Sequence, residues 1–146
     1  LGWHIVVYFE ANELHEIEGF LRDLPTTVVI DHLGRPDVES GIDHPDYLRI
    51  KRMMEDEKFW IKVSCPERLT KAGPPYDDVL PFGRDMVESF PDRVLWGTDW
   101  PHPNMKSHAP DDGLLVDRIP LIAPTEALQR KLLIDNPMRL YWGEAV

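Results

Sequence analysis

The sequence has few of the residues that build disulfides or self-contained metal centres. Its one cysteine, Cys65, cannot form a disulfide within the chain, which fits a reducing compartment and predicts a cytoplasmic protein. None of the six histidines stands in an H-x-H or H-E-x-x-H pattern or beside a zinc-type cysteine pair. We therefore expect no metal and no other cofactor to be held by this chain alone.

Two other common chemistries lack their motifs. The nine glycines form neither G-x-G-x-x-G nor the phosphate loop of nucleotide-binding proteins, and no serine stands in G-x-S-x-G. Nucleotide binding and serine hydrolysis are therefore disfavoured. Cys65 is also a poor candidate nucleophile, because Pro66 follows it and the sequence places no base beside it.

Positive charge is scarce and apolar runs are short. Sixteen Lys and Arg against 26 Asp and Glu give a net charge of −10, which opposes binding to nucleic acid. The longest apolar run, residues 5–9, is far below the ~20 residues of a membrane span, and we expect no secretory signal before it. We therefore expect no nucleic-acid partner and no membrane association. With 42% hydrophobic residues, the chain can bury a core.

Four times along the chain, an apolar run is followed by a helical pattern. The apolar runs predict strands over residues 4–9, 27–31, 59–64 and 93–97, and the first reads as a parallel strand buried on both faces. The helical patterns cover residues 12–24, 45–57, 78–89, 114–119 and 126–134. Strands that alternate with helices predict an α/β fold with a parallel sheet.

Polar residues with catalytic potential lie where these strands end. Tyr8 lies near the end of the first strand, His32 and Arg35 follow the second, Arg68 follows the third and Asp99 follows the fourth. Each also has an ordinary structural interpretation, such as a core tyrosine, a packed histidine or a turn aspartate. Because chemistry in parallel sheets collects at the carboxyl ends of the strands, their shared placement favours a catalytic site.

Four loop segments carry a resemblance to a known family. They are VIDHLGRPD at 29–37, SCPERLT at 64–70, VLWGTDWPHP at 94–103 and DNPMRLYW at 135–142. These segments resemble the amidohydrolase superfamily and, within it, the lactonases that open pyrone dicarboxylates during bacterial breakdown of lignin-derived aromatics. That family folds as a (β/α)8 TIM barrel of roughly 250 residues. The resemblance implies that residues 1–146 form the second half of such a barrel, with four parallel strand–helix units.

The resemblance also implies roles for individual residues. Asp99 matches the general base that takes a proton from the attacking water, and His32 matches the histidine that helps polarise the lactone carbonyl. Arg35 and Arg68 match arginines that hold the substrate's carboxylates, and Tyr8 matches a tyrosine of the same pocket. The implied reaction is metal-independent hydrolysis of a small dicarboxylate lactone to a carboxyhydroxymuconate.

Two alternatives stay open. In the first, the protein is a metal-dependent hydrolase or decarboxylase of the same superfamily, in which Asp99 and His32 bind zinc or manganese together with an H-x-H pair that this sequence lacks. In the second, the chain is a catalytically silent half-barrel. Its two open strand edges would then pair with a second chain or with the missing half.

Overall fold

The computed structural model describes residues 2–106 and 109–143. Its strands are β1 (Ile5–Val7), β2 (Val28–Ile30), β3 (Phe59–Ser64) and β4 (Val94–Gly97), and they form one parallel sheet in the order β1-β2-β3-β4. Each strand lies within a predicted apolar run. Strands that pair in chain order without a reversal are typical of a barrel rather than a doubly wound sheet. The prediction of an α/β fold with four parallel strand–helix units, half of a (β/α)8 barrel, is confirmed.

Helices follow every strand. They are α1 (Leu14–Asp23), α2 (Pro45–Met53), α3 (Leu80–Ser89), α4 (Asp112–Asp117), α5 (Ile119–Ile122) and α6 (Glu126–Arg130), followed by π-helical segments Lys131–Asp135 and Met138–Trp142. Short 3-10 turns cover Ala11–Glu13, His32–Gly34, Val38–Ser40, Pro66–Arg68 and Asp77–Val79. Within the described ranges, no helix is long and apolar enough to cross a membrane.

Helix α2 ends four residues earlier than the sequence pattern predicts. Its start is capped by His44, whose Nδ1 accepts a hydrogen bond from the Asp46 amide, and Pro45 occupies the first helical position. The helix ends at Met53, before the acidic run 55–57. Carboxylates are unfavourable at the negative end of the helix dipole, which explains why the helix does not continue through them.

The two faces of the sheet pack against different apolar groups. Side chains that alternate along the strands contact the helices in the main core, among them Val28, Ile30, Phe59, Ile61 and Val94. The intervening residues Val29, Trp60 and Leu95 form a separate buried cluster, against which Leu140 packs. This alternation is what a barrel wall requires, because one face meets the outer helices and the other lines the interior.

Strand β1 is more exposed than the sequence predicts. The expectation of a strand buried on both faces is wrong, since Ile5 and Val6 are 40% and 44% exposed. The reason is position, because β1 lies at the edge of the described sheet and pairs there with β2. Tyr8, at the end of this strand, is also exposed and is therefore not a core tyrosine.

Gly34 allows the loop after β2 to pass close to the core. Its φ is +68°, and a Cβ atom there would lie 2.7 Å from Ile50 Cδ1 and 3.2 Å from Phe9 Cε2. A larger residue would meet both this crowding and an unfavourable backbone conformation. Gly34 lies between His32 and Arg35 in the sequence. Its close packing against the core therefore fixes the backbone positions of both residues.

We predict that Gly34→Ala lowers the free energy of unfolding by about 2–3 kcal/mol, from the left-handed conformation and from overpacking together. Gly143→Ala is the matched control, because Gly143 also lies in the left-handed region, with a φ of +66°, but has open space where its Cβ would lie. We expect that variant to lose about 1 kcal/mol. Urea unfolding measures both, and equal losses would show that the contact with Ile50 is unimportant.

Candidate active site

The loops that follow the strands begin with residues in the left-handed region. Four consecutive residues after β2 have positive φ, from His32 at 46° to Arg35 at 52°. Cys65 after β3 and Asp99 after β4 have φ values of 61° and 71°. Such conformations are costly for residues other than glycine and concentrate at functional sites. Here they occur at three of the strand ends that carry candidate residues.

His32 and Asp99 face each other across the sheet edge. The Nε2 atom of His32 lies 3.4 Å from Asp99 Oδ1, and its Nδ1 atom is hydrogen-bonded to the Ser64 hydroxyl at 2.8 Å. Burial lowers the pKa of His32, and the nearby carboxylates of Asp31 and Asp99 offset this only in part. The imidazole is therefore neutral near pH 7, and if Ser64 donates to Nδ1, the ring proton lies on Nε2 and points toward Asp99.

The second oxygen of Asp99 has two further neighbours. The buried Cys65 thiol donates a hydrogen bond to Oδ2 at 3.4 Å, and Arg68 Nη1 lies 3.8 Å from the same oxygen. Burial, together with the charges of Glu67 and Asp99, strongly raises the pKa of Cys65, so the thiol is protonated. Cys65 is thus a hydrogen-bond donor to Asp99 rather than a nucleophile.

Tyr8 and the two arginines form a connected polar group beside this pair. The Tyr8 ring lies edge-on to His32 with centroids 6.2 Å apart, and Arg68 Nη2 donates to Tyr8 Oη at 3.4 Å. Arg35 Nη1 donates to the Arg68 carbonyl at 2.6 Å, and its Nε donates to Glu10 Oε1 at 3.3 Å. An open groove of about 390 Å³ borders both guanidinium groups.

The structure therefore brings all five residues predicted from the sequence to one edge of the sheet. Asp99, His32, Arg68 and Tyr8 are linked by the distances given above, and Arg35 is joined to them through the Arg68 backbone. Their roles in catalysis and substrate binding stay predictions. Two nitrogens of Arg35 already contact protein groups, so Arg35 also holds the neighbouring loop in place.

Lys62 is a site neighbour that the sequence analysis missed. It lies in the middle of β3, and its Nζ forms an ion pair with Asp31 Oδ1 at 3.3 Å, next to His32. Two-residue alternation places Lys62 on the same side of the strand as Trp60 and Ser64. The sequence does contain a signal for Lys62. It is the one lysine in an otherwise apolar strand, and it is two residues from both Trp60 and Ser64 on the interior face.

An ion-pair relay, formed by Glu67, His102 and Asp112, joins the loops that carry Arg68 and Asp99. His102 Nδ1 contacts Glu67 Oε1 at 3.0 Å and its Nε2 contacts Asp112 Oδ1 at 3.1 Å, while its backbone amide donates to the Asp99 carbonyl at 2.7 Å. The side chains of His102 and Glu67 are almost fully buried. Burial alone would lower the pKa of His102, but the bonds to both carboxylates outweigh it and raise the pKa.

Among the residues that the structure describes, two groups of side chains have metal-ligating atoms within 4.8 Å of one another, namely His32 with Cys65 and Asp99, and Glu67 with Asp99 and His102. In the second group, both ring nitrogens of His102 already contact carboxylates, so the set fits an ion-pair relay better than a metal. In the first, the neutral imidazole of His32 and the carboxylate of Asp99 are suitable ligands, whereas the Cys65 thiol is protonated.

Comparison with known proteins agrees with the fold and the loop motifs. A family model described as Amidohydrolase matches residues 1–142. The chain belongs to the amidohydrolase family. Within that family it is 62% identical over its whole length to a 2-pyrone-4,6-dicarboxylate hydrolase of Comamonas testosteroni, covering 51% of that protein. It is 36% identical to a 4-sulfomuconolactone hydrolase of Hydrogenophaga intermedia, with 97% of this chain and 47% of that one aligned.

Solved amidohydrolase structures show the same half-barrel. An Acinetobacter baumannii protein designated a 2-pyrone-4,6-dicarboxylic acid hydrolase, solved with citric acid bound, matches with a TM-score of 0.83 and 27% identity over 97% of this chain and 53% of its own. An Agrobacterium tumefaciens protein matches with a TM-score of 0.83 and 28% identity over 99% and 52%. The chain spans about half the length of the curated relatives it matches.

We predict that His102→Gln destabilises the protein more at pH 6 than at pH 9. The folded-state pKa of His102 is raised, so its stabilising contribution is fully present below its unfolded pKa near 6.5 and is lost as pH rises through the folded value. Because the substitution leaves Glu67 buried without a cation, we expect a loss of about 3 kcal/mol at pH 6.

Urea unfolding at the two pH values measures this loss. His15→Gln is the control, because His15 is exposed on helix α1 and should change stability little at either pH. A His102→Gln loss that is equal at pH 6 and pH 9 would contradict the protonated relay.

Proposed function

We propose that the natural protein carrying this sequence hydrolyses a lactone that bears carboxylates, of the 2-pyrone-4,6-dicarboxylate type. The observation that carries this proposal is the pairing of Asp99 with a neutral His32 at 3.4 Å, with the Arg68 guanidinium 3.8 Å from the same carboxylate. A base, a hydrogen-bond donor and a cation that suits carboxylates thus occupy one site. The names of two similar hydrolases, both acting on lactones, support the reaction class.

Each of these groups can carry out one part of lactone hydrolysis. Asp99 accepts a proton as a water oxygen bonds to the lactone carbonyl carbon, and the His32 Nε2 proton stabilises the negative charge that forms on the carbonyl oxygen. The ring C–O bond then breaks, and its oxygen takes up the proton. The Arg68 guanidinium, 3.8 Å from Asp99, places a positive charge beside this base.

The charge distribution favours an anionic substrate in spite of the acidic chain. A net charge of −10 repels a dicarboxylate at long range, so capture requires local positive charge. Arg35 and Arg68 provide it beside Tyr8 and Asp99, whereas the adjacent groove of about 390 Å³ also has Glu10, Asp37 and Asp46 in its lining. Guanidinium groups match the geometry of carboxylates with paired hydrogen bonds, which also suits the tricarboxylate seen in the A. baumannii relative.

A second candidate function is metal-assisted hydrolysis at the same site. It requires the other neutral tautomer of His32, in which Nδ1–H donates to Ser64 and the unprotonated Nε2 faces Asp99. His32 and Asp99 would hold the ion, which when bound would supply a water with a lowered pKa. Metal analysis of the purified protein, combined with activity after chelation, separates this candidate from the first.

We predict that Asp99→Asn lowers kcat for pyrone dicarboxylate hydrolysis by about 10²- to 10⁴-fold, because the amide cannot accept the proton of the attacking water. Loss of pyrone absorbance measures the rate in the complete natural protein. Asp43→Asn is the control, since Asp43 is an exposed turn residue. Near wild-type turnover by the Asp99 variant would refute the proposed base.

We further predict that Arg68→Lys raises KM for the dicarboxylate about tenfold, because lysine keeps the charge but loses the paired hydrogen bonds. Arg84→Lys is the matched control, since Arg84 is exposed on α3 and pairs with Glu88. The same kinetic assay applies. An unchanged KM in the Arg68 variant would show that this arginine does not hold the substrate.

A further inference from the structure

Glu10 lies among the groups that the proposed function assigns to the substrate. Its Oε1 atom accepts a hydrogen bond from Tyr8 Oη at 2.8 Å and another from Arg35 Nε at 3.3 Å. Tyr8 in turn accepts from Arg68 at 3.4 Å. The Glu10 carboxylate therefore lies where the hydrogen-bond donors of Tyr8 and Arg35 converge, and Glu10 itself lines the groove.

This contact follows from the geometry of β1. Residues two apart in an extended chain point to the same side, so Tyr8 and Glu10 lie together at the end of the strand. Arg35 reaches the same point from the left-handed turn after β2. Partial desolvation of the phenol raises the pKa of Tyr8, and its hydrogen bond to Glu10 adds to this effect, so the phenol remains a donor.

We propose that Glu10 is an internal competitor for the substrate's carboxylate, which displaces Glu10 from Tyr8 and Arg35 when it binds. The inference rests on the proposed function for the identity of the substrate. Glu10 thereby acts as a specificity-determining residue that lowers affinity for anionic ligands and leaves neutral ones unaffected.

The ion pair of Glu10 with Arg35 is strong enough to compete with a substrate carboxylate and weak enough to be displaced by it. The Glu10 side chain is 42% exposed, so it can turn into solvent without leaving a buried charge unpaired. Ion pairs of this exposure contribute little, which limits the competition to about a two- to fivefold effect on affinity. Arg35, only 19% exposed and bound to the Arg68 carbonyl, stays in place when Glu10 leaves.

Glu10→Gln tests the proposal, because glutamine has nearly the same shape and can still accept from Tyr8 and Arg35 but carries no charge. In the complete natural protein we expect KM for pyrone dicarboxylate to fall about two- to fivefold, with kcat changed less. Glu13→Gln is the matched control. It makes the same change in net charge at an exposed residue of the turn Ala11–Glu13, and Glu13 forms no hydrogen bond with Tyr8 or Arg35.

The charge of the ligand provides a second readout. The ratio of kcat/KM for the dicarboxylate to that for an uncharged pyrone lactone should rise in Glu10→Gln and stay constant in Glu13→Gln. A KM that rises in Glu10→Gln would overturn the proposal, since it would show that Glu10 serves to orient Arg35 for the substrate. Equal changes in the two variants would overturn it as well, because they would reflect long-range charge alone.

Calorimetric titration with citrate separates this proposal from the proposed function. If the wild type binds citrate but does not turn over the pyrone, the proposed function fails. The competition is then judged by the dissociation constant for citrate, which should be about two- to fivefold lower in Glu10→Gln than in the wild type. Citrate affinity that is unchanged or weaker in Glu10→Gln would overturn the competition in either case.

Discussion

Parallel pairing of β2 with β1 on one side and with β3 on the other fixes the edge at which the strands end. The loops that follow β2, β3 and β4 start in the left-handed region, and this turns their first polar side chains toward one another. The 3.4 Å approach of His32 to Asp99 depends on both features. If the backbone were extended at these points, the side chains would continue along the strand direction and would not meet at this edge of the sheet. Gly34 permits one such turn because it alone fits against Ile50.

Charge pairing is the second constraint, since the chain has many more acids than bases. Near the site the carboxylates of Asp31, Glu67 and Glu10 are matched by Lys62, His102 and Arg35. Of these three carboxylates only Glu67 is almost fully buried, so its pairing with His102 is a condition for folding, whereas the partly exposed pair of Glu10 with Arg35 contributes little stability. The three pairs leave Asp99 between His32 at 3.4 Å and Arg68 at 3.8 Å.

The amidohydrolase relatives place this half-barrel in a chemical context. The two lactone hydrolases differ in the anionic group of the substrates for which they are named, a carboxylate in one and a sulfonate in the other. A site of guanidinium groups accepts either in principle. The proposed competition by Glu10 concerns the choice between anionic and neutral ligands and does not distinguish these two anions.

The sequence by itself determined the four strand–helix units and the loop positions of Tyr8, His32, Arg35, Arg68 and Asp99, because apolar periodicity and local motifs are short-range properties. It could not determine the exposure of β1 or the early end of α2, which depend on neighbours and on the helix dipole. The roles of Lys62, Glu10 and His102 likewise required the tertiary structure. Each acts through a partner at least 25 residues away in the chain, and only folding brings such charges within hydrogen-bonding distance.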